Sequence, residues 1–223
     1  MTDDFVVVGT DTGVGKTVVT AGLVGMLRTD GIDAKAIKPC QTGYPPDDDA
    51  GFVAEACGTE AAAACLRRLK PALAPEVAAE LEGVTLSYAK ILNECEQAIA
   101  DAECGVVEGI GGLRVPLADG REVIDLVADL DLSAVVVARS GLGTLNHTML
   151  TVEALRQRQT PILGIVLNEY DGTTVVERTN PKMIEKMTKQ EVWTLPPLDL
   201  TDPRAAVEGA TEYLSQSLLE DFE

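Results

Sequence analysis

Residues 5–17 read Phe5-Val6-Val7-Val8-Gly9-Thr10-Asp11-Thr12-Gly13-Val14-Gly15-Lys16-Thr17. A short apolar run closed by glycine matches a strand buried on both faces, as in a parallel sheet. A glycine-rich turn follows, then a helix-like segment from about Thr17 to Arg28. Strand, glycine-rich turn, Lys-Thr and helix in that order form a phosphate-binding loop. Glycines let the backbone wrap an anion and present its N–H groups to it. The positive end of the helix dipole adds to that attraction. In such a loop Lys16 reaches the β- and γ-phosphates, and Thr17 offers its hydroxyl to Mg²⁺. Five residues separate Gly9 from Gly15, one more than the common spacing. The competing reading is a strand–helix turn with a solvent-facing lysine. The motif points to a nucleoside triphosphate, yet it does not separate a kinase, a ligase, a motor or a switch.

The rest of the chain continues the alternation. Strands are predicted over 32–37, 105–109, 134–138, 161–167 and 192–195. Helices are predicted near 51–57 and over 87–102, 145–158, 181–190 and 202–219, with short helices and turns across the alanine-rich stretch 58–84. Strands alternating with helices predict an α/β, three-layer P-loop NTPase fold, its mostly parallel central sheet covered by helices on both faces. No break in composition marks a boundary, so residues 1–223 read as one domain.

Charge narrows the function classes. Thirty-six acids against eighteen bases give −18, and the sequence pI is about 4.3. Such a surface argues against nucleic acid as the main partner and against docking on an anionic membrane. No apolar run is long enough for a membrane helix, and Asp3-Asp4 stand where a secretory signal would carry bases. The cysteines Cys40, Cys57, Cys65, Cys95 and Cys104 form no CxxC pair, which fits reduced thiols in a cytoplasm. Two causes fit the acid excess: a solubilising surface, or adaptation to a high-salt cytoplasm in which repulsion between acids is screened.

Ligands of open α/β sheets bind beyond the carboxyl ends of the strands. Lys38 ends the second strand, where it is either a cation for a transferring phosphoryl group or a plain surface charge. One of Asp47, Asp48 and Asp49 either ligates Mg²⁺ or belongs to a solvated loop. Glu108, at the end of an apolar strand, is either a Walker-B-like metal ligand or a turn cap. Asn168 carries a donor–acceptor pair suited to a purine edge. The segment Gly141–His147 precedes a helix whose N–H groups suit a carboxylate. His147, the lone histidine, reads as structural.

These residues together resemble the dethiobiotin synthetase family. The motifs are GTDTGVGKT at 9–17, IKPCQTG at 37–43, Asp49-Ala50, VEGIGGLRVPL at 107–117, GTLNHTMLT at 143–151, and Asn168. The segments 57–85 and the C-terminal tail match poorly. The resemblance implies ATP- and Mg²⁺-dependent ring closure of 7,8-diaminopelargonic acid with CO₂ (or bicarbonate), giving dethiobiotin, ADP and phosphate in biotin biosynthesis. It implies a carbamate, then a mixed carbamic–phosphoric anhydride, and a cytoplasmic homodimer with substrate near the subunit interface.

Residue by residue, it implies Lys16 and Lys38 as catalytic cations. Thr17, Asp49 and Glu108 would hold the metal. Gly13, Val14, Gly15, Lys16, Thr17 and Val18 would wrap the phosphates, with Gly109, Ile110 and Gly111 alongside. Asn168 and Pro196, Pro197 and Leu198 would hold adenine. Thr12 and Thr42 would touch the diamine or carbamate, and Gly143, Thr144, Leu145 and Asn146 the substrate carboxylate. Thr42 stands where serine is more common, and Asp48 competes with Asp49. The rival reading is a regulatory ATPase of the partition and division-site type, but Gly9-Thr10-Asp11 lacks the lysine those switches carry early in the loop. A P-loop amidating domain is a further rival, usually found in longer chains.

Overall fold

The computed structural model describes residues 4–214. Among these, strands β1 (Phe5–Gly9), β2 (Ala34–Lys38), β3 (Ala63–Cys65), β4 (Cys104–Gly112), β7 (Ser133–Arg139), β8 (Ile162–Asn168) and β9 (Val192–Thr194) build one parallel sheet, in the order β3-β2-β4-β1-β7-β8-β9. β5 (Pro116–Ala118) and β6 (Arg121–Glu122) form a separate small antiparallel ribbon. The helices are α1 (Lys16–Thr29), α2 (Asp49–Cys57), α3 (Pro75–Glu82), α4 (Tyr88–Ala100), α5 (Val123–Asp129), α6 (Thr144–Gln157), α7 (Val175–Thr188) and α8 (Ala205–Tyr213).

The unbroken apolar run of β1 has a direct cause. Phe5 and Val7 point into one core with Val19, Leu23 and Leu27 of α1. Val6 and Val8 point into the other, with Ile91 of α4 and Val152 and Leu155 of α6. Every residue of β1 is buried, so no position tolerates a polar side chain. α1 also carries α8 closely: a Cβ on Gly22 would lie 2.4 Å from Cβ of Ala210. Glycine there exchanges helix propensity, about 1 kcal/mol, for that close approach.

Several elements differ from the sequence reading. α7 begins at Val175 rather than Pro181, because Thr174 and Glu177 form a capping box that starts the helix six residues earlier. Pro181 therefore sits inside the helix. β3, the β5–β6 ribbon and α5 lie in stretches too short or too alanine-rich to show a period. α8 ends at Tyr213 because Leu214 is extended (φ −96°, ψ 103°), and the rest of the predicted 202–219 helix lies outside the described residues. β4 runs to Gly112, past the predicted end at 109.

Candidate active site

β4 lies between β2 and β1, and the register places Ile37 beside Val107 and Val7 beside Glu108. Side chains alternate along a strand, so Lys38 shares a face with Ala36, and Glu108 with Val106. That face belongs to the core under α1 and α2. Both charged side chains therefore point toward the N-termini of those helices, where Lys16, Thr17 and Asp49 stand. The alternation of two neighbouring strands thus gathers five polar groups from distant sequence.

The contacts are close. Lys38 Nζ donates to Glu108 Oε1 at 2.7 Å and lies 3.4 Å from the Gly109 carbonyl. It also pairs with the Asp49 carboxylate. Thr17 Oγ1 donates to the same Glu108 Oε1 at 2.9 Å. Lys16 Nζ donates to the Asp11 carbonyl at 3.1 Å. Lys38 is 5% exposed and Glu108 2%, so neither is a surface charge.

Burial lowers the Lys16 ammonium to about 8, and the Lys38 charge adds to the effect. Burial also opposes the Lys38 charge, but Glu108 and Asp49 outweigh it and hold that ammonium above its ordinary range. Glu108 is raised, first by burial and then by repulsion from Asp49. Burial would raise Asp49 as well, yet Lys38 and the hydroxyl of Thr17 bring it below the usual range.

Asp48 does something else. Its carboxylate caps α2, accepting from Gly51 N at 3.1 Å, and faces Arg68 at 3.6 Å. Gln41 Oε1 accepts from Asp49 N at 3.1 Å, which ties the start of α2 to the end of β2. Gln41 lies inside the IKPCQTG motif, but nothing in the sequence marks it as a tether.

The phosphate loop needs its glycines. Gly13 and Gly15 have φ of +71° and +93°, where L side chains are strained. A Cβ on Gly15 would lie 2.0 Å from Asn168 Nδ2. That amide donates to the Val14 carbonyl at 3.1 Å, so the end of β8 clamps the loop from behind. Arg139 at the end of β7 pairs with Asp11 at 2.9 Å on the other flank.

A cavity of about 840 Å³ opens over these groups. Thr12, Gly13, Gly15, Lys16, Thr17, Val18, Lys38, Thr42, Asp49, Glu108, Ile110 and Gly111 line it. Val14 and Gly109 do not line it: the Gly109 carbonyl lies beside the Lys38 ammonium, and the Val14 carbonyl accepts from Asn168 behind the loop. Phe52, Leu73, Ala74 and Val115 complete it with apolar surface that the sequence reading had not singled out. Leu73 and Ala74 fall in the 58–84 stretch, which carries no recognisable motif. Cys40 lies in the wall as a free thiol, pushed up to about 12 by burial.

Two predicted groups stand apart from the cavity wall. Asn168 and Pro196–Leu198 sit together at the ends of β8 and β9, on the far side of the loop: Leu195 N donates to Leu167 O at 2.9 Å. Leu198 packs against Gly209 of α8. Gly143 to Asn146 form the N-terminus of α6, with Gly143 as its cap at φ +93°. Asn180 of α7 holds the preceding loop by donating to Ser140 O at 2.7 Å. The upstream start of α7 is what brings Asn180 there.

The sequence matches the AAA domain family over residues 3–205. It is 62% identical to the ATP-dependent dethiobiotin synthetase BioD of Haloferax mediterranei, over 96% of this chain and 92% of that one. It is 45% identical to BioD of Anaeromyxobacter sp. strain Fw109-5, over 83% and 85%. Solved structures with a similar fold include a ParA family ATPase from Chlorobium tepidum (TM-score 0.60, 14% identity, covering 99% of this chain and 92% of that one). Another is the septum site-determining protein MinD from Pyrococcus horikoshii (TM-score 0.56, 16% identity, covering 94% and 86%). At such low identity the switch ATPases share the fold alone, whereas identity above 60% across nearly the whole chain is a family relation: this chain belongs to the ATP-dependent dethiobiotin synthetase family.

Proposed function

We propose that this protein closes the ureido ring of dethiobiotin from 7,8-diaminopelargonic acid, CO₂ and ATP, releasing ADP and phosphate. The observation that carries the reading is 62% identity over 96% of the chain to a protein of that name. The site supports it chemically. One amine takes up CO₂ as a carbamate, whose oxygen attacks the γ-phosphorus to give a carbamic–phosphoric anhydride. The second amine then attacks the carbamoyl carbon, and phosphate leaves with the former carbamate oxygen.

The first attack brings two anions together, so cations must offset their repulsion. Lys16 of α1 and Lys38 of β2 line one cavity, which supports that role for both. Thr12 and Thr42, which line the same cavity, would offer hydroxyls to the amines or the carbamate. The apolar patch of Leu73, Ala74 and Val115 suits the hydrocarbon chain of the diamine. Asn168 and Pro196–Leu198, behind the loop, would hold adenine.

The donor set also fits Mg²⁺. Two carboxylates, Glu108 and Asp49, and the Thr17 hydroxyl are hard oxygen ligands, and the cation already among them is an ammonium. Among the described residues no group of three or more His, Cys, Asp or Glu forms a metal cage. Mg²⁺ commonly completes such a partial set with phosphates and water. When bound there it would neutralise charge on the transferring phosphoryl group.

The proposed carboxylate-binding segment, Gly143–Asn146, does not line the cavity of its own chain. We read the protein as a homodimer in which a second copy brings that helix start to the substrate. We also read the chain as one domain acting in the cytoplasm. No described helix is long and apolar enough to cross a membrane.

The test is product formation. Purified protein with the diamine, ¹³C-bicarbonate and MgATP should yield dethiobiotin carrying one ¹³C by mass spectrometry. Unlabelled product, or none from folded protein, would overturn the reading.

A further inference from the structure

The mechanism needs Lys38 free to meet an anion, yet the structure shows it fully occupied. Its ammonium donates to Glu108 Oε1 at 2.7 Å and pairs with Asp49. Thr17 Oγ1 donates to that same Glu108 oxygen. Lys38 therefore sits among the three groups assigned above to Mg²⁺. Without any cation, the buried carboxylate of Glu108 and the half-buried one of Asp49 would stand side by side with no charge to offset them, a costly arrangement. With a divalent cation present, an ammonium at the same oxygens would repel it at close range, where screening is weak.

We propose that Lys38 is a displaceable counterion: it holds Glu108 and Asp49 in place until the divalent cation arrives, and the cation then releases it into the cavity toward the reacting anions. This rests on the metal-ligand reading given above. The backbone of Lys38 is fixed by β2, but the residue lines the cavity and its side chain is a flexible four-carbon stem, so the ammonium can turn toward the cavity once its carboxylate partners are taken. The consequence is an order of events. The cation for the transferring phosphoryl group becomes available only after the metal is loaded.

The inference is tested with Mn²⁺ alone on nucleotide-free protein, following the free-ion signal by electron paramagnetic resonance. Lys38→Met should bind Mn²⁺ at least tenfold more tightly than the wild type, and adding Glu108→Gln should abolish the gain. Lys38→Met binding no more tightly, including no binding by either protein, overturns the proposal. The metal reading fails separately, and the proposal with it, if Glu108→Gln leaves wild-type Mn²⁺ binding in the presence of ADP unchanged. Should Lys38→Met not fold without metal, the wild type decides. In ¹⁵N-lysine-labelled protein the Lys38 ammonium resonance, assigned by its loss in Lys38→Arg, should shift on adding Mg²⁺. An unmoved resonance contradicts displacement.

Discussion

Substituting Gly15 by alanine tests how the phosphate loop is held. Two separate penalties apply. At φ +93° a Cβ strains the backbone, which costs about 1–2 kcal/mol. The same Cβ would lie 2.0 Å from Asn168 Nδ2, so the amide must move and lose its bond to the Val14 carbonyl. Leaving that buried carbonyl unpaired costs about 1–3 kcal/mol. Gly15→Ala should therefore destabilise the protein by about 2–5 kcal/mol in denaturant unfolding. The two terms separate in a double-mutant cycle. Asn168→Ala removes the colliding amide while keeping its Cβ, which is 3.6 Å away and in ordinary contact. In that background Gly15→Ala should cost only the backbone strain, about 1–2 kcal/mol. Equal costs in both backgrounds would refute the clamp and leave backbone strain as the whole effect.

Further outcomes are expected. Lys38→Ala should lower single-turnover phosphate release about 100-fold or more, as loss of a transition-state contact worth ~3 kcal/mol does; near-normal turnover removes Lys38 from that role. Lys16 is lowered to about 8 by burial, and a bound triphosphate should restore its proton. ATP binding near pH 8 should then take up about half a proton, seen as a dependence of calorimetric enthalpy on buffer ionisation. For folding the sign is the reverse of a paired base: the folded pKa is depressed, so the Lys16 contribution to stability rises with pH from about 8 to about 10.5. No buffer dependence would argue against a depressed Lys16. Finally, a chain of net charge −18 should melt at higher temperature in 1 M KCl, where the screening length is about 3 Å, than in 0.1 M, where it is about 10 Å. A melting temperature indifferent to KCl would leave only the solubility explanation of the acid excess.

The phosphate loop and the sheet were legible because they rest on local rules. A buried parallel strand must be apolar throughout, and a loop with positive φ must use glycine, so β1 and residues 13–15 declare themselves. Lys38 was legible as a residue at a strand end and Glu108 as an acid in an apolar strand, though β4 continues four residues past it to Gly112; neither was legible as the other's partner. Their pairing depends on β4 lying between β2 and β1, a long-range register that no window of sequence contains. Asp48 and Asp49 looked alike in a run of three acids. Only the start of α2 tells them apart, since one caps the helix and the next faces Lys38. Pro181 misled because proline usually marks a helix start, and the Thr174–Glu177 capping box outweighed it. The apolar wall at Leu73 and Ala74 left no signal, because it follows from where a loop lands rather than from any periodicity.

On the proposed function, this cavity uses ATP only on the carbamate of a diamine. Phosphate release should be measured with 7,8-diaminopelargonic acid and bicarbonate both present, with each omitted in turn, and with DNA or anionic vesicles in their place. Release should require both small molecules and ignore the macromolecules. Release that proceeds without the diamine and rises with DNA or vesicles would contradict it.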